Sequence, residues 1–325
     1  MPGSNLLIDS ELPKIREELL QRLSAVLPAS DDALSEAMRY SIAATGKLYR
    51  PLLCVCLGDA FGADHRDLIT IGCALELLHT FTLVHDDIMD KSLLRRGKPT
   101  VQAKWGLNLA ILTGDALFAK SLEVLMAVNN HKAQMYEIFV RALPHLSYGQ
   151  ALDLQQQADA TDSLHDYRRM AACKTGTLFS LAAEMAGAAA AVTAEIRQAL
   201  RELGTLLGIA YQMRDDYLDF FDDERMAANS LGQDLQLKRR SRLVSLGLNA
   251  EPEKFTAAIQ LAQSDPALGL QRAREILVQS GAATQVREEL ISARAECLEL
   301  AEKLPVDTRQ AVALIGLMLE LPHNP

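Results

Sequence analysis

The stretch Leu77-Leu78-His79-Thr80-Phe81-Thr82-Leu83-Val84-His85-Asp86-Asp87-Ile88-Met89-Asp90 decides how this chain folds. An apolar run of helical period leads into three carboxylates spaced D-D-x-x-D, and the pattern reaches back to about Asp67 with apolar residues on nearly all sides. Such a helix is central in a bundle rather than laid on its surface. Asp86 and Asp90 stand i, i+4 on one face. The C-terminal end of a helix already carries partial negative charge, so three carboxylates there call for bound cations. The spacing recurs in Asp215-Asp216-Tyr217-Leu218-Asp219, behind a second buried lead-in, Leu206-Leu207-Gly208-Ile209-Ala210. Each pair can hold a hard divalent cation, because Mg2+ takes one or two carboxylates and completes its shell with phosphate and water. Two such pairs facing each other would hold several cations around a diphosphate. A single copy also suits a solvated acidic helix end; the second copy argues against that. Asp222, Asp223 and Glu224 read as a solvated helix end.

Working outward, almost every segment keeps a helical period and alternating strand patterns are absent. One helix carries Leu34, Met38 and Ile42, opened by Ser30-Asp31-Asp32 and stopped near Gly46. Gly97-Lys98-Pro99 breaks the pattern after the first Asp motif. Further helices are expected over about 107–128, 134–157 with a kink at Pro144, 163–191, and 194–221. A polar loop covers 222–234, and Pro252, Pro266 and Gly281 separate three helical patterns beyond it. No Gly/Ser/Pro-rich linker divides the chain. The expectation is an all-α single domain over 11–325 with residues 1–10 as a loose arm.

The chain has 325 residues, enough for one large helical domain or two smaller ones. A net charge of −9 argues against nucleic acid, whose backbone needs a Lys/Arg surplus. A small phosphate ligand needs only a local basic cluster. The five cysteines, Cys54, Cys56, Cys73, Cys173 and Cys297, are odd in number and form no C-x-x-C, which suits buried free thiols in a reducing compartment. Residues 1–11 lack the basic segment and apolar run of a signal peptide. With no charge-free window of membrane-spanning length, a cytoplasmic protein without a transmembrane segment is expected.

Cations stand where a diphosphate needs them: Lys47 and Arg50 in Gly46-Lys47-Leu48-Tyr49-Arg50-Pro51, Arg95-Arg96-Gly97 behind the first Asp motif, Lys174-Thr175-Gly176 between the motifs, and Lys238-Arg239-Arg240 after the second. Singly, each is an ordinary surface charge. Together, around two acidic sites in an acidic chain, they fit two anionic groups, one metal-bound and one held by Lys/Arg.

In order, these motifs resemble the trans-isoprenyl diphosphate synthases, the polyprenyl synthetase family, over roughly 33–241. The series is Gly46-Lys47-x-x-Arg50-Pro51, His79, the first Asp motif with Arg95-Arg96-Gly97, Gly149-Gln150-x-x-Asp153, Lys174-Thr175-Gly176, Gln212 with the second Asp motif, and Gly232-x-Asp234-Leu235. The resemblance implies an isoprenoid-synthase helical bundle with a central active-site cavity. It also implies about three Mg2+ ions, with Mn2+ as a substitute, on Asp86, Asp90, Asp215 and Asp219. An allylic diphosphate would bind through the metal and through Arg95, Lys174, Asp216 and Arg239. Isopentenyl diphosphate would bind through Lys47, Arg50, His79 and Arg96. Thr175 and Gln212 would turn oxygen dipoles toward an allylic carbocation. The implied product is a short-chain prenyl diphosphate, geranylgeranyl favoured over farnesyl, and the implied assembly a homodimer.

Phe81 and Thr82 are the expected floor of the hydrocarbon pocket. At about 100° per residue Thr82 lies ~40° from Asp86 and Phe81 ~140°; the helical wheel favours Thr82, the family's use of the position Phe81. Three departures stand out: Leu48 where bacterial members have Arg, Asn229 at a family Lys position, and Lys238-Arg239-Arg240-Ser241 where a Gly-Lys-x-Thr is usual. Arg239 is expected to replace one lysine contact. A class I terpene cyclase shares the fold but has no use for a second diphosphate site. A non-catalytic subunit of a heteromeric prenyl synthase would lose an Asp motif. A phosphohydrolase using His85-Asp86 leaves the second motif unexplained, and His85 reads better as a helix-packing histidine.

Overall fold

The computed structural model describes residues 11–44, 46–156, 164–222, 232–237 and 239–322. The expected arm at 1–10 and Asp223, Glu224, Asn229 and Lys238 lie outside the described residues. The chain is built of helices, as the periodicity predicts, and divides into two compact units. The divisions fall inside helices, after Arg141, Phe179, Arg201, Ala301 and Leu314, which is why no linker composition marks them.

The first unit comprises Met1–Arg141, Ser180–Arg201 and Glu302–Leu314. Helix α1 (Leu12–Val26) buries Leu12, Ile15, Leu19 and Leu23 on one stripe. Helix α2 (Ala33–Ala43) starts where expected, the Asp32 side chain accepting from the Ser35 N–H at 2.9 Å. Helix α3 (Tyr49–Ala60) is buried almost throughout. Helix α4 (His65–Met89), capped by Asp64, is the core helix, with Leu68 to Leu78 wholly enclosed. By length and composition α4 could cross a membrane, yet 72% of its most apolar window is buried within the protein. The break at 97–99 is a small antiparallel ribbon, β1 (Leu94–Arg95) with β2 (Lys98–Pro99), which period counting missed because each strand is two residues long. Helices α5 (Val101–Trp105) and α6 (Leu107–Leu125) follow, and α7 (Lys132–Gln156) continues through Pro144 into the second unit. Asp67 receives the backbone and side-chain N–H groups of Asn129 and Asn130, at 2.9–3.2 Å, and so fixes the turn before α7.

The second unit comprises Ala142–Phe179, Glu202–Ala301 and Ile315–Pro325. Its core gathers Tyr167, Met213, Tyr217, Phe220, Phe221, Leu243 and Phe255. The one helix expected over 163–191 is, from Leu164 on, α8 (Leu164–Ala171), a π-helical turn at Ala172–Gly176, and α9 (Thr177–Ala189). Two glycines seat that wide turn. A Cβ on Gly149 would lie 2.3 Å from the Lys174 backbone nitrogen, and one on Gly208 would lie 2.4 Å from the Gly176 Cα. Backbone meets backbone there, and neither side can give. Helix α10 (Ala194–Phe221) carries the second Asp motif. After α11 (Gln233–Gln236) and α12 (Arg242–Ala250), Pro252 and Pro266 open α13 (Pro252–Leu261) and α14 (Pro266–Gln279) in the first-turn positions where a missing N–H costs nothing. Gly281, at φ +79°, separates α14 from α15 (Ala282–Glu302), and α16 (Arg309–Met318) is last.

All five cysteines are free thiols; burial pushes those of Cys56, Cys73 and Cys297 up to about 12, so they are packing residues.

Candidate active site

In the first unit the Asp motif occupies the last turn of α4. Asp86 and Asp90 are half-buried, whereas Asp87 is 5% exposed and accepts the Arg95 Nε–H on both oxygens, at 3.0 and 2.9 Å. Arg96 and Gly97 form the two-residue loop of the ribbon with φ of 52° and 74°. A loop of that handedness matches the strand twist, but Arg96 carries backbone strain that only its surroundings can maintain. Its Nη1 donates to the Ala44 carbonyl at 2.6 Å, and its guanidinium lies over Gly46, where a Cβ would come within 2.7 Å of Nη2. Gln102 laces the loop by donating to the carbonyls of Asp87 at 2.6 Å and Ser92 at 2.8 Å.

Arg50 Nη1 stands 3.0 Å from His79 Nε2. Guanidinium can only donate, so Nε2 accepts and Nδ1 carries the proton. Burial first, then Arg50, Arg96 and Arg95, hold the imidazole well below its usual pKa, which keeps it neutral. Its Nδ1 is buried without a partner among the described residues. A neutral N–H donor needing an acceptor, among three guanidinium groups, suits an anion. Lys47 Nζ lies 5.6 Å from the centre of the Tyr49 ring. Leu48 is 3% exposed with φ 56°, so the position faces the core and takes an apolar side chain.

The Phe81 ring meets His85 edge-on at 4.8 Å and Phe118 at a tilt at 5.3 Å between centroids. His85 fills the space over Gly114, where an added Cβ would meet Nε2 at 2.1 Å, and that nitrogen stands 3.2 Å from the Ile111 carbonyl. It is a packing histidine, as expected. Thr82 donates back to the His79 carbonyl at 2.8 Å.

In the second unit the same five-residue pattern is used differently. Asp216 is 8% exposed and accepts from Gln212 Nε2 at 2.8 Å and from the buried Tyr167 hydroxyl at 2.7 Å. Thr175 donates to Gln212 Oε1 at 2.5 Å, so one hydrogen-bonded line runs from the π turn to Tyr167. Burial pushes the Asp216 carboxyl up to about 7, Asp215 and Asp153 adding to the rise and the two donors opposing it. Asp219 is also buried and accepts the Gln233 and Asp234 backbone N–H groups at 3.2 and 2.9 Å, holding the turn at Gly232. Asp215 alone of the three is half-buried. Lys174 pairs with the buried Asp153. A hollow is lined by Asp153, Lys174, Gln212, Asp216, Asp234 and Arg239.

Of the residues expected from the sequence, the structure joins Arg50 with His79 and Lys174, Gln212, Asp216 and Arg239 around one hollow; Arg95 and Arg96 share another with Tyr40, Glu76 and Asp87. It turns Asp219 toward backbone N–H groups. Tyr167 escaped sequence reading because a tyrosine at a helical apolar position looks like core. Among the described residues, no three His, Cys, Asp or Glu side chains form a ready metal cage. The half-buried pair Asp86 and Asp90, at a helix end of negative polarity, still fits Mg2+, which needs one or two carboxylates and draws its other ligands from phosphate and water.

The polyprenyl synthetase family model matches residues 31–277. The chain is 34% identical over 230 residues (67% of it and 71% of the relative) to the geranylgeranyl diphosphate synthase of Methanosarcina mazei. It is 32% identical over 319 residues (94% and 95%) to the short chain isoprenyl diphosphate synthase of Methanothermobacter thermautotrophicus. The crystal structure of geranylgeranyl pyrophosphate synthetase from Pyrococcus horikoshii matches it with a TM-score of 0.88 at 30% identity, over 99% of this chain and all of that one.

Proposed function

Because the chain belongs to the polyprenyl synthetase family, we propose that it is a trans-prenyltransferase joining an allylic diphosphate head-to-tail to isopentenyl diphosphate, with geranylgeranyl diphosphate favoured over farnesyl diphosphate as product. The observation that carries the two-substrate reading is His79: a neutral, buried N–H donor held by Arg50 beside Arg96 supplies an anion site that needs no metal. A class I cyclase has no use for it.

We assign Asp86, Asp90 and Asp215 to Mg2+, whose charge, when bound, stabilises the departing diphosphate. Asp219, expected as a further ligand, is engaged by backbone N–H groups and is assigned to holding the Gly232 turn. Lys174, oriented by Asp153, and Arg95, oriented by Asp87, meet the allylic diphosphate. Arg239 joins Lys174 at the same hollow. Arg50, His79, Arg96 and Lys47 take isopentenyl diphosphate. Thr175 spends its proton on Gln212, which leaves its lone pairs to face a developing allylic cation. Loss of the diphosphate leaves that cation, the alkene of isopentenyl diphosphate attacks it, and the released diphosphate takes the proton then lost. Phe81, braced by His85 and Phe118, closes the hydrocarbon pocket; products of Phe81→Ala should lengthen, and an unchanged distribution would return Phe81 to the core. Leu107, Ile111 and Leu112, 52%, 41% and 54% exposed on α6, offer an apolar face to a second copy, and a monomer in light scattering at micromolar concentration would count against the homodimer. The proposed location is the cytoplasm.

Diphosphate release measured with and without isopentenyl diphosphate tests the function. Release that requires both substrates is expected. Release from the allylic substrate alone would mean a cyclase, and no release under either condition a non-catalytic partner.

A further inference from the structure

We propose that Tyr40 is a positioning residue that sets the affinity for isopentenyl diphosphate by holding the Arg96 ribbon in place. This rests on the assignment of Arg96 to that substrate. A two-stranded ribbon is marginal in water, and this one has two residues per strand and a strained Arg96 at its tip. Its geometry must therefore be imposed from outside.

Helix α2 and its C-terminal cap residue do this. Glu36, Tyr40 and Ala44 recur at i, i+4 and i+8. At the tip end, the Ala44 carbonyl accepts from Arg96 Nη1 at 2.6 Å. At the other end, the Tyr40 hydroxyl donates to the Pro99 carbonyl at 2.7 Å. The Tyr40 ring meets Trp105 edge-on at 5.0 Å, and Lys104 Nζ lies 4.5 Å and 4.1 Å from the two ring centres. Glu36 faces the same ammonium at 3.7 Å. The ribbon is thus pinned at Pro99 by the Tyr40 side chain and at Arg96 by the carbonyl of the residue that caps the same helix. Removing the Tyr40 hydroxyl frees one pin while the ring contacts with Trp105 and Lys104 stay.

The experiment compares steady-state kinetics of wild type, Tyr40→Phe, Arg96→Ala and the double variant, with the emission of Trp105, the single tryptophan, confirming an unchanged fold. Tyr40→Phe should raise the isopentenyl diphosphate KM roughly three- to tenfold, as loss of one hydrogen bond does, and leave kcat and the allylic KM within about twofold. If Tyr40 acts through Arg96, the double variant is no worse than Arg96→Ala. Additive losses in the double variant would overturn the proposal. So would a raised KM in Arg96→Ala with none in Tyr40→Phe, and the substrate assignment would then stand. An unchanged isopentenyl diphosphate KM in Arg96→Ala would overturn the assignment and the proposal together.

Discussion

The two Asp motifs share one spelling and divide their labour differently. In the first, the middle carboxylate Asp87 is buried on Arg95, and the outer pair, Asp86 and Asp90, is half-buried. In the second, Asp216 and Asp219 are both buried, one on Tyr167 and Gln212 and the other on backbone N–H groups, leaving Asp215 outermost. Spacing puts carboxylates on a helix face; the partners packed around them decide which can serve a cation. One motif leaves its outer pair half-buried, and the other gives two of its three carboxylates to internal order.

The sharpest way to break this comparison is to remove carboxylates from both motifs. Asp86→Ala and Asp215→Ala should each lower kcat by on the order of a thousandfold in saturating Mg2+ while melting near the wild-type temperature. Asp219→Ala should lose stability instead, about 0.5–2 kcal/mol as for a lost cap. A thousandfold kcat loss in Asp219→Ala with an unshifted melting temperature would make the two motifs equivalent after all.

Next in size is Asp87→Asn. It weakens the hold on Arg95 and should cost the allylic substrate about 1.5–3 kcal/mol in binding, read as KM, with isopentenyl diphosphate affected little. An equal rise in both KM values would show Asp87 acting on the whole unit rather than through Arg95.

The smallest effect separates the motifs by pH. The Asp216 carboxyl, near 7 in the folded chain, sits above the value of about 3.9 expected when unfolded. The folded state therefore keeps a proton that the unfolded state has released. The cost of burying the charge is absent below about pH 4, grows as pH rises and is complete above about pH 7. Denaturation midpoints in chelator should fall between about pH 4 and 7, and Asp216→Asn should flatten that fall by at most about 1.4 kcal/mol per pH unit. The same slope in wild type and variant would remove Asp216 as its source.

Much of this was legible in the sequence because helix caps and periodicity act locally. Asp32 caps α2 as its position suggests, and Pro252 and Pro266 open helices. Helix α3 is enclosed on nearly every side, so its period is faint and its ends could not be set from pattern. The ribbon is too short to alternate. Lys174, Thr175 and Gln212 could be named from motif order, but their hydrogen bonds to Asp153 and Asp216 depend on approaches between helices that no local pattern encodes. Leu48, a departure by comparison with the family, is explained by burial, which is likewise a property of the folded chain.

The π turn at Ala172–Gly176 has a consequence for anyone redesigning this protein. One additional residue in a turn advances the helical phase by about 100°. A wheel drawn through 164–179 as a regular helix would therefore put Phe179 out of step with Tyr167, although both are fully buried. Deleting a residue to regularise the turn would swing one half of the run out of register with the other, and Gly149 and Gly208 would be left facing a backbone that no longer fits them. The turn acts as a phase shifter written into the chain, and the glycines opposite give it room.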